Sequence, residues 1–170
     1  MTAGSTQHPE RLTRNNTLLL LVDHQVGLYT GIRDIDVLQL KHNVVGLTRA
    51  LLALKVPVIV TTTTEKMWGP LIPELAEVLP GVRGIERTTV NAWDEKRFVD
   101  AVKATGRKNL IVTGISTDVC LTFPAIAALA EASRVMRSSM HRVASLRLRS
   151  IREFCAFSRC DSGVLFQRRG

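Results

Sequence analysis

Residues 17–23 read TLLLLVD, an unbroken apolar run that closes on a carboxylate, the pattern of a strand buried on both faces of a parallel sheet. Downstream, Val37, Leu40, Val44, Leu47, Leu51 and Leu54 recur at spacings of three and four, with Lys41, His42 and Arg49 on the opposite side. That spacing predicts an amphipathic helix over residues 36–55. Pro57 is expected to stop it, and Val58–Thr62 reads as a second buried strand, so the three elements form a parallel crossover unit. Gly69-Pro70 and Pro73 break the chain before a short helix near Glu74–Leu79, and only a short strand fits at Gly84–Arg87. Asp94–Thr105 reads as a helix with Phe98, Val99 and Val102 inward and Gly106 as terminator; Asn109–Gly114 then repeats the buried-strand pattern. Asp118 is expected to cap a last helix ending near Ala132.

Strands and helices in strict alternation, joined by short connections, specify a three-layer α-β-α domain around an open, parallel, doubly wound sheet. In such sheets ligands bind beyond the carboxyl ends of the strands, where the strand order reverses. Asp23 and Cys120 each fall at or just past such an end. The length of 170 residues suits one domain, and no apolar run approaches the roughly 20 residues of a membrane span, so no membrane segment is expected. Residues 1–14 read as a flexible polar leader without an apolar signal core. Three cysteines with no CxxC pair make neither a disulfide framework nor a zinc site, which points to a reducing, cytoplasmic setting.

A lone cysteine in an apolar setting is usually a small packing residue. The position of Cys120 argues otherwise: it is expected in the first turn of a helix that follows a buried strand, where the helix dipole and unpaired N–H groups lower a thiol's pKa and can hold an oxyanion. Asp23 alone could be a turn cap, but beside Cys120 it becomes a candidate general base.

The runs LLLVDHQ at 19–25 and GISTDVC at 114–120 resemble the isochorismatase-like superfamily of cysteine hydrolases. Gly69-Pro70-Leu71, Asn91-Ala-Trp-Asp94 and Phe123-Pro124 look like its YcaC-like branch, and the likeness spans roughly residues 15–132. The resemblance implies a triad of Asp, a basic residue and Cys, with a thioester formed on the thiolate and then hydrolysed. Asp23 and Cys120 match directly. The basic position falls after the third strand on Arg87, with Lys96 as rival; an arginine there would orient Asp23 rather than shuttle a proton. The resemblance also implies an oxyanion hole from the N–H groups of Ser116 and Cys120, next to a cis peptide at Ile115–Ser116. It further implies an amide or related C–N bond of a small molecule as substrate, and homo-oligomers. Nicotinamidases of the superfamily carry a metal set after the second strand, whereas residues 61–68 here read TTTTEKMW, so no metal and no cofactor are expected. His24 reads as a neighbour shaping the mouth of the site, and His8, His42 and His141 as surface residues. Trp68 and Trp93 read as residues sealing a core or a subunit contact.

Residues 134–170 are unlike the body, residues 15–133, that precedes them. Residues 1–133 hold 14 Lys+Arg against 13 Asp+Glu, a net of +1, while 134–170 hold nine Arg and no Lys against two acids, a net of +7. No apolar run of strand length follows Ser133, so the fifth and sixth strands are expected to be lost. With GC-rich codons, the bases for Val135–Leu146 read in a shifted frame as DAVVDASGGVT, and those for Asp161–Gln167 as QxGAVxT, both resembling segments the family puts on or near these strands. The segment is therefore read as out of frame. Two other readings stand beside the hydrolase: a catalytically silent oligomer subunit, and a protein gripping nucleic acid with its basic tail. The absence of Lys from that tail argues against nucleic acid as a partner.

Overall fold

The computed structural model describes residues 11–131 and the backbone of 134–137. Its elements are β1 (Thr17–Val22), α1 (Val26–Tyr29), α2 (Val37–Ala53), β2 (Val58–Thr63), α3 (Glu65–Trp68), α4 (Pro73–Val78) and β3 (Ile85–Arg87). A 3-10 turn (Ala92–Asp94), α5 (Lys96–Ala104), β4 (Asn109–Gly114), a π-helical turn (Thr117–Leu121), α6 (Thr122–Ala130) and β5 (Arg134–Arg137) follow. The strands form one parallel sheet in the order β3-β2-β1-β4-β5.

The apolar run in β1 is explained by its place between β2 and β4, with both faces covered. Leu18, Leu20 and Val22 pack with Phe98, Val102, Leu110, Val112 and Leu121 on one face. Leu19 and Leu21 pack with Leu40, Val44, Val60, Ile72 and Leu75 on the other. Each such side chain contributes about 1.5–3 kcal/mol by leaving water, so a polar substitution on either face of β1 is costly. From β1 the chain builds outward to β2 and β3, then crosses to β4 on the opposite side. The order therefore reverses between β1 and β4, where a crevice is expected at the carboxyl ends.

Helix α2 starts on Asp36, whose carboxylate accepts from Gln39 N at 2.8 Å. It ends before Pro57 acts: Lys55 is left-handed (φ 59°), with Lys55 N bonded to Leu52 O and Val56 N to Leu51 O. That pair of hydrogen bonds is a Schellman ending, so the proline follows the stop rather than causing it. A second expectation, that no strand follows Ser133, is corrected at residues 134–137. Arg134–Arg137 pairs in parallel with Asn109–Val112 of β4. The reason is that the pairing with β4 runs through the backbone ladder, which needs no apolar run; among the described residues β5 is the strand beside β4. The expected sixth strand and the remainder of the Arg-rich tail, residues 138–170, lie outside the described residues.

Candidate active site

Asp23 leaves β1 in the left-handed region (φ 59°), rare for a residue with a Cβ. Its N–H donates to Thr61 O of β2 at 3.0 Å and its carbonyl accepts from Gln25 N at 2.8 Å. Its carboxylate meets Arg87 at the end of β3: Nη2 donates to Oδ2 at 2.5 Å, and Nη1 donates to Thr89 O. Oδ1 of Asp23 and Nε of Arg87 are buried without a hydrogen-bond partner of good geometry. Cys120 completes the cluster from the π-helical turn, its thiol interacting with the Asp23 carboxylate. Exposures of 2% for Asp23, 3% for Arg87 and 6% for Cys120 make this a buried site, where charges act more strongly than in water.

The turn carrying Cys120 folds tightly against the end of β4. A Cβ placed on Gly114 would stand 2.9 Å from Cys120 Cβ and 3.2 Å from its carbonyl carbon, so only glycine allows this approach. Leu121 N donates to Ser116 O at 3.1 Å, five residues back, which closes the π-helical turn. The structure corrects the expected capping here, because Ser116 rather than Asp118 stands at the N-cap and Ser116 Oγ donates to Asp118 Oδ1. It also corrects the expected cis peptide: the Ile115–Ser116 bond is trans, and none of the described residues carries a cis bond. The π-helical turn, closed by the Leu121 N–H on Ser116 O, carries the chain from β4 toward α6 with every bond trans. The Ser116 N–H still faces the Cys120 sulfur.

The electrostatics reverse one sequence-based expectation. Burial first, and then the charge of Asp23, push the Cys120 thiol up to about 12, against lowering by the Ser116 N–H and Arg87. The dipole of a helix start is outweighed because the thiol is desolvated beside a carboxylate. Burial likewise raises Asp23 above the usual carboxylate range, opposed by the Arg87 charge and by hydrogen bonds from Cys120 and Arg87. The buried cluster thus sets the Cys120 thiol beside the Asp23 carboxyl group, which the Arg87 guanidinium holds.

Lys96, the rival basic residue, is 86% exposed in its side chain and paired with Asp100 one turn along α5, outside the buried cluster. The reading of His24 as part of the mouth is corrected. It is fully buried, with Nδ1 3.0 Å from Tyr29 Oη and Nε2 2.9 Å from Thr113 Oγ1, and burial pushes it down to about 3. A histidine bonded at both nitrogens in the core ties the segment after β1 to β4. His42 is exposed, while His8 and His141 lie outside the described residues. Trp93 is buried edge-on against Phe98 and donates from Nε1 to Glu131 Oε1 at 3.1 Å; Trp68 is half-buried. Gln25, fully buried against the loop after β2, and Gly114 belong to the two quoted runs, but the sequence assigned neither a role beside Asp23 and Cys120. The available signal was a glutamine two residues past Asp23, and a glycine closing the strand before Cys120. Among the described residues no three His, Cys, Asp or Glu side chains converge as a metal site requires, and no helix is long and apolar enough to cross a membrane.

The family model of the isochorismatase domain matches residues 17–136. The chain is 46% identical over 123 residues to the probable hydrolase YcaC of Escherichia coli (strain K12), an alignment covering 71% of this chain and 59% of that protein. The chain therefore spans less than two thirds of that relative's length. The crystal structure of the Escherichia coli YcaC gene product, an octameric hydrolase of unknown specificity, aligns with a TM-score of 0.77 at 40% identity, covering 91% of this chain and 75% of that one. YcaC from Pseudomonas aeruginosa, solved with hexane-2,5-diol and covalent acrylamide, aligns with a TM-score of 0.77 at 38% identity, covering 91% and 76%. A nicotinamidase from Staphylococcus aureus shares the fold at 15% identity and a TM-score of 0.64, covering 87% of this chain and 95% of that one.

Proposed function

The chain belongs to the isochorismatase family, and from that premise we propose that it is a cysteine hydrolase acting on an amide or related C–N bond of a small molecule. The observation that carries the proposal is the convergence of Asp23, Arg87 and Cys120 from three different strand ends into one buried cluster. Cys120 attacks the carbonyl carbon while its proton passes to Asp23, whose Oδ1 is the oxygen left open by Arg87. Arg87 holds Oδ2 through Nη2 and offsets the buried charge. The N–H groups of Ser116 and Cys120 take the developing oxyanion. The amine leaves with the proton from Asp23, giving a thioester. Water then adds to the thioester, Asp23 receives its proton, and the acid departs as the thiol is restored. The covalent acrylamide in the Pseudomonas aeruginosa relative, an electrophile that thiols add to, supports nucleophilic chemistry in this branch. The octamer of the Escherichia coli relative supports self-association of this chain, which light scattering after size exclusion measures directly.

The test is the pH dependence of Cys120 addition to acrylamide, read by peptide mass spectrometry to separate it from Cys155 and Cys160. With a thiol pushed up to about 12, proton loss to solvent leaves about one thiolate in ten thousand at pH 8. If the proton goes instead to Asp23, the reactive form keeps the same total charge and the rate is flat with pH between the Asp23 and Cys120 titrations. In Asp23→Asn the log rate climbs by one per pH unit, up to a midpoint below 12 because the carboxylate that raised the thiol is gone. A wild-type rate that itself climbs one for one through neutral pH refutes Asp23 as the base. Release of free amine from a panel of small amides by the wild type, abolished in Cys120→Ser, tests the reaction class.

A further inference from the structure

The left-handed backbone at Asp23 is a strained conformation that survives only where its surroundings over-determine it. Two residues on, Gln25 is fully buried and its side-chain amide makes three hydrogen bonds: Nε2 donates to Thr63 O at 3.0 Å and to Gly69 O at 2.7 Å, and Oε1 accepts from Thr63 N at 2.8 Å. Thr63 is the register partner of Arg87 between β2 and β3, and the next residue, Thr64, donates from N to Arg87 O at 3.0 Å. The bonds close a circuit, from the Asp23 carbonyl through Gln25 to Thr63, across to the Arg87 backbone, and back through the Arg87 guanidinium to Asp23 Oδ2. Only a primary amide of this length donates twice and accepts once here, whereas an apolar side chain could fill the same volume.

We infer that Gln25 is a positioning residue for the hydrolase, holding Asp23 on Arg87 by pinning the segment after β1 to the end of β2. The inference rests on Asp23 acting as the base. Gln25 touches neither the thiol's proton nor a substrate; it acts through the geometry of the ion pair. The charged and titratable groups that act on Asp23 are Arg87 from β3 and Cys120 from the π-helical turn. Arg87 lowers the Asp23 titration, so a carboxylate slipping off the guanidinium must titrate at higher pH.

The experiment is the acrylamide pH profile on the full chain, comparing wild type with Gln25→Met, which fills the volume without hydrogen bonds, and Gln25→Asn, which keeps the amide one methylene shorter. The expected result for Gln25→Met is that the acid edge of the plateau moves to higher pH and the plateau falls roughly tenfold or more, the scale on which misplacement of a reacting group is felt. Gln25→Asn falls between it and wild type. A lowered melting temperature with the acid edge and the plateau unchanged overturns the inference, because a merely structural glutamine leaves both in place. Unfolding of both variants overturns it too, by assigning Gln25 to the fold. A wild type without a plateau is a separate failure: it refutes Asp23 as the base and removes the inference along with it.

Discussion

Gly114→Ala places one methyl group where the structure has no room for it. The added Cβ would meet Cys120 Cβ at 2.9 Å, the Cys120 carbonyl carbon at 3.2 Å and its oxygen at 3.3 Å. Carbon atoms attract only from about 3.5 Å outward, so Cys120 must retreat by about 0.6 Å. Two of the three obstructing atoms are backbone, which means that the π-helical turn moves as a unit and a rotamer change does not relieve the clash. Productive geometry tolerates about 0.5 Å, and a misplacement of about 1 Å costs on the order of a hundredfold in rate. The expected loss in Cys120 reactivity is therefore about tenfold, with overpacking lowering stability by about 1–3 kcal/mol. Gly46 supplies the matched control, because nothing stands within 4 Å of its added Cβ in the middle of α2. Gly46→Ala should raise stability by about 0.5–1 kcal/mol and leave the chemistry alone. The assay is the second-order rate of acrylamide addition at Cys120, with thermal melts of the same samples. If Gly114→Ala alkylates as fast as Gly46→Ala, the steric argument for the placement of Cys120 is wrong.

Arg87→Met strips the buried Asp23 of its counter-charge and should destabilise the fold by about 3–5 kcal/mol at neutral pH. Because the carboxyl then titrates still higher in the fold than in the unfolded chain, the folded state binds the extra proton, and melting temperatures should recover as pH falls below the folded value; melts that keep falling on acidification contradict this. Lys96→Ala, on an exposed pair, should leave both the melt and the Cys120 profile unchanged, and a lost plateau in that variant would move the basic role to Lys96. For the Arg-rich segment, nucleotide sequencing should reveal a single insertion or deletion near codon 133 that restores the family-like segments in one frame; an intact frame with no such site ends that reading.

Parallel strands were readable because burial on both faces demands unbroken apolar runs: residues 17–22 and 109–114 became β1 and β4, and the period of residues 37–54 became α2. Helix endings were less readable, since the Schellman bonds at Lys55 depend on a backbone angle that lysine does not advertise. β5 was missed for a related reason: its pairing with β4 is a backbone ladder and leaves little mark on side-chain pattern.

Asp23 and Cys120 could be nominated from the sequence, because each follows a strand whose apolar run can be counted, whereas Arg87 came only through the family resemblance, since Ile85–Arg87 offers no such run. What the chain order could not supply was their state. The thiol's rise to about 12, the neutral core role of His24, the trans bond before Ser116 and the clasp of Gln25 on Thr63 all depend on groups between 38 and 97 residues apart, or on a turn closed by one backbone bond. Local pattern determines which segments pair and which face is buried, since that follows from side-chain hydrophobicity alone. Desolvation and charge proximity act through space, so only the tertiary structure decided that burial and the Asp23 charge push the Cys120 thiol up.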